Sequence, residues 1–276
     1  MSCKTVNGLN FACGIREFNV SFPPMRCSIL ERPDGDFIAY LKRTANRTGP
    51  GILWLSGFKS DMTGTKATAL DDWAARTGRG YTRFDYFGHG ASSGAFRDGT
   101  ITRWRDDALA VIDRLTDGPQ ILVGSSMGAW IALLATLARP DRIAGMVLIA
   151  PAPDFTEELI WADLSADAKH DIESNGEWMR PSAYGLGPYP ITRALIEDGR
   201  KHLVLRDEIP IHCPVILVQG MQDPEVPFET SIKLARRLAA SDVSVTLVKN
   251  GDHRMSDAPS LEHVFATLER VLSKVG

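Results

Sequence analysis

The chain has 276 residues, 44% hydrophobic and 24% charged, with a formal net charge of −3. That length and apolar content allow a large α/β domain with an ample buried core. The near-neutral balance, with no basic block or aromatic-and-arginine stripe, argues against a nucleic-acid partner. Cys3, Cys13, Cys27 and Cys213 form no CxxC, which argues against a zinc site.

The first 24 residues hold no apolar run after Lys4 and no arginine-rich amphipathic pattern, so neither a secretory signal nor an import leader is expected. Free thiols in a reducing cytoplasm are the expectation. Two short strand candidates, 26–32 and 36–43, flank Pro33-Asp34-Gly35 and predict a hairpin. "GILWLSGF" (51–58) predicts a buried strand. Residues 63–77 predict a helix with Leu70, Trp73 and Ala74 facing in and Lys66 outward. A strand is expected at 80–85, followed by the glycine-rich loop "FGHGASSG". Trp104, Ala108, Val111, Ile112 and Leu115 recur at helical spacing and predict an amphipathic helix over 100–116.

Residues 118–138 contain no charge, a length that could suggest a membrane span. The break Gly-Ser-Ser-Met-Gly at 124–128 argues instead for a buried strand, "PQILVG", and a buried helix, "MGAWIALLATLA". "RIAGMVLIA" is the next strand. Residues 152–210 then interrupt the rhythm with Pro153, Pro181, Pro188 and Pro190, with Trp161, Trp178, Tyr184 and Tyr189, and with no strong strand until near 203. Alternation resumes with strand 214–220, helix 227–240, strand 242–248 and helix 258–273. The fold class is therefore α/β, with a mainly parallel sheet covered on both faces. Residues 152–210 are an insertion at the carboxyl edge of the strands, in a single domain spanning 1–276, and long connections of this kind often serve as lids.

"GSSMG" matches Gly-x-Ser-x-Gly, the nucleophile elbow, and it falls between a strand and a helix, the context that pattern requires. Glycines at 124 and 128 remove side chains that would strike the neighbouring strand and helix. Ser126 is then exposed at the top of the sheet, while Ser125 is the variable position. A serine needs a base to take its proton. Six histidines compete. His253, in "KNGDHRM", occupies the loop between the last strand and the last helix, where the base belongs. His263 lies on the final helix, His170 and His202 in the insertion, His212 just before a strand, and His89 in a loop it could order. The orienting acid should follow a strand. Asp223 in "VQGMQDPEVP" fits; Asp154, after the preceding strand, is its rival and could instead cap a helix near Phe155. Glu225 is a further candidate, and Asp252 adjoins His253 too closely to reach its ring. The oxyanion hole is expected from the backbone N–H of Met127 and of Phe58, although no HGGG stretch is present. Trp161 and Trp178 are candidates for the substrate pocket.

Together "LSGFKSDMTGTKA", "RFDYFGHGASSG", "DGPQILVGSSMGAW", "ARPDRI", "EWMRPSAY", "QGMQDPEVP" and "DHRM" resemble the abhydrolase-domain subgroup of the α/β-hydrolases. The similarity runs from about residue 25 to the last helix. It implies a Ser126–Asp223–His253 triad, a cap at 152–210, and cleavage of S-acyl thioesters and acyl-glucuronide esters. It also brings a mitochondrial location into view beside the cytoplasmic expectation. The expected activity is that of a serine hydrolase of small-molecule esters or thioesters, without metal or organic cofactor. The competing readings are a carbon–carbon bond hydrolase using the same triad and an idle fold that only binds ligands.

Overall fold

A computed structural model describes residues 27–182 and 187–275. Strands β1 (Ser28–Glu31) and β2 (Phe37–Arg43) form the expected hairpin, with Ser28 opposite Tyr40. There follow β3 (Gly51–Leu55), α1 (Thr65–Thr77), β4 (Tyr81–Phe84), α2 (Ile101–Leu115), β5 (Gln120–Ser125), α3 (Met127–Ala138) and β6 (Ile143–Ile149). The segment after β6 contains α4 (Ala166–Asn175), β7 (Glu177–Arg180), β8 (Tyr189–Thr192) and α5 (Arg193–Gly199). β9 (Val215–Gly220), α6 (Phe228–Arg237), β10 (Val243–Val248) and α7 (Ala258–Val275) complete the order.

Eight strands make one sheet in the order β1-β2-β4-β3-β5-β6-β9-β10. β2 runs antiparallel to its neighbours, and β4, β3, β5, β6, β9 and β10 are mutually parallel. The two-residue period of a strand sends alternate side chains into two cores. Leu53, Leu55, Leu122, Met146, Leu148, Val215 and Leu217 join α2 and α3 on one face. Ile52, Trp54, Ile121, Val123, Val147, Ile149, Ile216 and Val218 join α1 and α7 on the other. This double burial explains the near-continuous apolar strands. Helix α3 is buried from Met127 to Thr136, because the sheet, α2 and the segment after β6 all pack on it. No helix among the described residues is long and apolar enough to cross a membrane.

Residues 152–210 connect β6 to β9, which are neighbours in the sheet. They begin with a π-helical turn, Thr156–Ile160, and they contain a two-stranded antiparallel sheet that pairs Glu177 with Thr192 and Arg180 with Tyr189. The sequence reading placed no strand here before about residue 203; the structure has these two and an irregular chain at 203–208. The reason lies in the strands themselves. Each has four residues, β8 contains Pro190, and neither shows a clean alternation of burial. Asp198 on α5 accepts from the Thr102 backbone N–H (2.7 Å) and hydroxyl (2.8 Å), tying the segment to the start of α2.

Candidate active site

The turn from β5 into α3 holds Ser126 at φ 54°, ψ −119°, a strained conformation for a residue with a side chain. Both flanking glycines are required by contact. A Cβ on Gly124 would lie 2.5 Å from the Gly128 carbonyl oxygen, and one on Gly128 would collide with the Leu55 and Ser56 backbone at the end of β3. The turn is fixed by the Ser126 N–H donating to the Ile149 carbonyl (2.9 Å) and by the Ser126 carbonyl accepting from Ala129 (3.0 Å) and Ala152 (3.2 Å). The bond to the end of β6 holds Ser126 at the carboxyl edge of the sheet, at the N-terminus of α3.

Parallel strands deliver the other groups to the same edge. Asp223 follows β9 and His253 follows β10. His253 Nδ1 donates to Asp223 Oδ2 at 2.8 Å. The Asp223 carboxylate is fully buried and also accepts from the Gln219 amide (3.0 Å) and from the backbone N–H groups of Glu225 (2.8 Å) and Val226 (2.9 Å). Burial alone pushes its pKa up; the hydrogen bond and charge of His253 and the two backbone donors outweigh that and hold it below its ordinary value. With Nδ1 occupied by the carboxylate, Nε2 is the nitrogen left to accept a proton. Glu225 Oε2 lies 3.7 Å from that Nε2, the wrong nitrogen for an orienting acid.

Asp154 does not reach this group. Its carboxylate accepts from the backbone N–H of Val204 (2.9 Å) and Leu205 (2.9 Å), fifty residues further along, and it caps no helix at Phe155. The helix-cap expectation is thereby corrected: the carboxylate staples the two ends of the 152–210 segment together. Asp252 accepts from the Met255 N–H (2.9 Å) within its own loop.

The loop after β3 carries Phe58. Among the described residues neither the Phe58 N–H nor the Met127 N–H has an acceptor. The next residue, Lys59, has φ 57°, and its N–H donates to His89 Nε2 at 3.2 Å. His89 Nδ1 in turn donates to the Phe87 carbonyl (3.1 Å). Burial among Tyr86, Phe96 and Trp104 pushes the His89 pKa down to about 4, so the ring stays neutral and keeps the acceptor that Lys59 needs. His89 is thus the loop-ordering residue that the "GHG" stretch suggests.

Two adjoining cavities open on Ser126. One, of about 170 Å³, is bounded by Met127, Ala152, Phe155, Leu159, Ile160 and Val226 on its apolar side. The other, of about 220 Å³, holds Lys59, Lys66, Glu225, His253 and Arg254. Phe58, Ser126, Ser182, Tyr189 and Glu225 border both. Trp161 and Trp178 line neither. Trp161 instead stacks under the Arg200 guanidinium (4.8 Å), and Trp178 packs against the core from β7. Phe155, Leu159 and Tyr189 are among the wall residues that the sequence did not mark out. Tyr189 lies beneath the Lys59 ammonium (4.2 Å). An amphipathic pattern could have flagged none of them, because they sit on irregular or very short elements.

A half-buried serine at a strand–turn–helix junction, sharing a cavity with an aspartate-bound histidine on a mainly parallel sheet, defines a hydrolase fold of the α/β kind. The chain belongs to the alpha/beta hydrolase family, whose model matches residues 52–264. It is 40% identical to the mitochondrial palmitoyl-protein thioesterase ABHD10 of Bos taurus over 249 residues, which covers 90% of this chain and 80% of that protein. A crystal structure from Agrobacterium vitis S4 superposes with a TM-score of 0.86 at 45% identity, covering 91% of this chain and all of that one. Mouse alpha/beta hydrolase domain-containing protein 10 superposes with a TM-score of 0.83 at 35% identity, with the same coverage. The name of the bovine relative places that protein in mitochondria and lends nothing to the cytoplasmic expectation.

Proposed function

We propose that this protein is a serine hydrolase that cleaves carboxylic thioesters and esters through an acyl-enzyme on Ser126. The observation that carries the reading is the 2.8 Å bond between His253 and the buried Asp223, on a histidine that shares a cavity with Ser126. Its support from similarity is the thioesterase named among its mammalian relatives.

His253 Nε2 takes the Ser126 proton as the oxygen attacks the acyl carbon, and Asp223 stabilises the imidazolium that forms. The N–H groups of Phe58 and Met127 receive the developing oxyanion, each contributing about 3–4 kcal/mol in sites of this type. The proton on His253 then passes to the departing thiolate or alkoxide. Water, deprotonated by the same imidazole, attacks the acyl-Ser126 carbonyl and releases the acid. The apolar cavity walled by Phe155, Leu159 and Ile160 receives the acyl chain, and the polar cavity beside His253 receives the leaving group. Residues 152–210 act as a cap, since Ala152, Phe155, Leu159 and Tyr189 complete the acyl side over Ser126.

A panel of acyl thioesters, simple acyl esters and acyl glucuronides, run with wild type and Ser126→Ala, tests the proposal. Wild-type hydrolysis of at least one thioester or ester, lost by about 10⁶-fold in the variant, is the expected result. Retention of a tenth of wild-type activity by Ser126→Ala would remove Ser126 as nucleophile.

A further inference from the structure

Helix α1 begins at Thr65, directly after the loop that carries Phe58. That loop is anchored to β4 and the chain just beyond it. The Met62 N–H donates to the buried Asp85 carboxylate (2.6 Å), and Arg83 donates to the Met62 carbonyl (2.6 Å). Lys66 therefore rises from a rigid base. It does not simply face solvent, as its place outside the apolar stripe suggests. Its Nζ donates to the backbone carbonyl of Arg254, the residue after His253, and the side chain lines the cavity that His253 and Ser126 share.

We propose, resting on the reading of Ser126 and His253 given above, that Lys66 is a positioning residue that sets His253 relative to Ser126 by holding the carbonyl of Arg254. Bonds from the β9 side and within the loop itself also hold residues 249 to 257. The Gln222 N–H donates to the Gly251 carbonyl (3.0 Å), Asp223 holds the ring, and Met255 is buried at φ 46°. The Ser256 hydroxyl donates to the same Arg254 carbonyl (2.8 Å), but it belongs to the loop and cannot place it. Lys66 supplies the bond from the opposite side, from the helix that continues the oxyanion loop. Through it the donor at Phe58 and the base at His253 are referred to one rigid element. Small displacements of a base are costly, so this bond bears on rate more than on substrate affinity.

The charged and titratable groups around the ammonium are Lys59 and Asp61 on the preceding loop, Asp252, His253 and Arg254 on the loop after β10, and Glu225 across the cavity. Burial pushes the Lys66 pKa down, Asp252 partly restores it and Arg254 lowers it again, to about 8. The charge-assisted bond is accordingly lost as pH rises through about 8, while the neutral amine remains a weaker donor.

The test uses the full chain with Lys66→Met and Lys66→Arg. Labelling of wild type by a fluorophosphonate, mapped to Ser126, first decides the underlying reading: no labelling there defeats that reading whatever Lys66 does. With labelling present, Lys66→Met is expected to lower kcat and the labelling rate about tenfold or more at pH 7, with KM within twofold. It should also lose the fall in kcat near pH 8. Lys66→Arg should restore most of kcat and keep it past pH 9, because arginine stays charged. A rise in KM with kcat unchanged would make Lys66 a substrate contact and overturn the proposal. So would an equal loss in both variants with the pH profile of wild type intact. If Lys66→Met does not fold, the pH profile of Lys66→Arg decides alone.

Discussion

The two carboxylates that compete for the role of acid separate cleanly by what they touch. Asp223 bonds the ring nitrogen of His253, whereas Asp154 bonds backbone N–H groups of Val204 and Leu205. Asp223→Asn is expected to leave the imidazole in the wrong tautomer and lower kcat about 10⁴-fold near neutral pH. Asp154→Asn should keep near-normal kcat and lose about 1–3 kcal/mol of stability, the worth of charged hydrogen bonds in a buried setting. Paired kinetics and melts of both variants check this, and an inactive but stable Asp154→Asn would reverse the roles. His89 gives a pH prediction. Its folded pKa, about 4, lies below the unfolded 6.5, so the unfolded chain binds the extra proton between those values. Its contribution is complete above pH 6.5 and lost as pH falls toward 4, on the order of 3 kcal/mol at ~1.4 kcal/mol per unit. Asp107, raised to about 6 by burial, works in the opposite sense over much of that range. The difference between wild type and His89→Ala therefore isolates the histidine: denaturant midpoints from pH 7 to 4 should converge, and parallel curves would contradict the neutral ring.

At the scale of elements, the strands and helices of the main sheet were legible because their apolar periods are long and agree with their turns. Leu70, Trp73 and Ala74 are buried on α1, and Trp104, Ala108, Val111 and Ile112 on α2, where the spacing placed them. The elbow was legible for a different reason, since only glycine tolerates the contacts at positions 124 and 128. The segment 152–210 was not legible in detail. Its short strands satisfy their backbone across a gap of several residues, and Asp154 finds its partners fifty residues away. Its aromatic residues suggested a wall over the site, but composition does not say which ring faces the cavity. Trp161 went to Arg200, and Phe155 took the wall. Phe155→Ala and Leu159→Ala are accordingly expected to raise KM for medium-chain acyl esters several-fold while changing acetyl esters little. The same substitutions at Trp161 and Trp178 should not shift chain-length preference. Equal effects at all four positions would mean that the segment covers the site without shaping it.

Across the whole molecule, three loops at the carboxyl ends of β5, β9 and β10 bring together residues 126, 223 and 253, and β6 leads into the 152–210 segment between them. Strand–helix alternation implied a parallel sheet; the order of its strands is set by tertiary packing and was not readable from the chain. Crevices at the carboxyl edge are where α/β sheets bind ligands. The fold leaves the chemistry to the loops, which is why membership of the family does not by itself fix the substrate. The central claim is the covalent intermediate. Wild-type protein mixed with an activated acyl thioester and quenched within the first turnover should gain the mass of one acyl group, on the peptide containing Ser126. Ser126→Ala should gain none. Turnover with no acyl adduct, or an adduct on another residue that persists in Ser126→Ala, would contradict it.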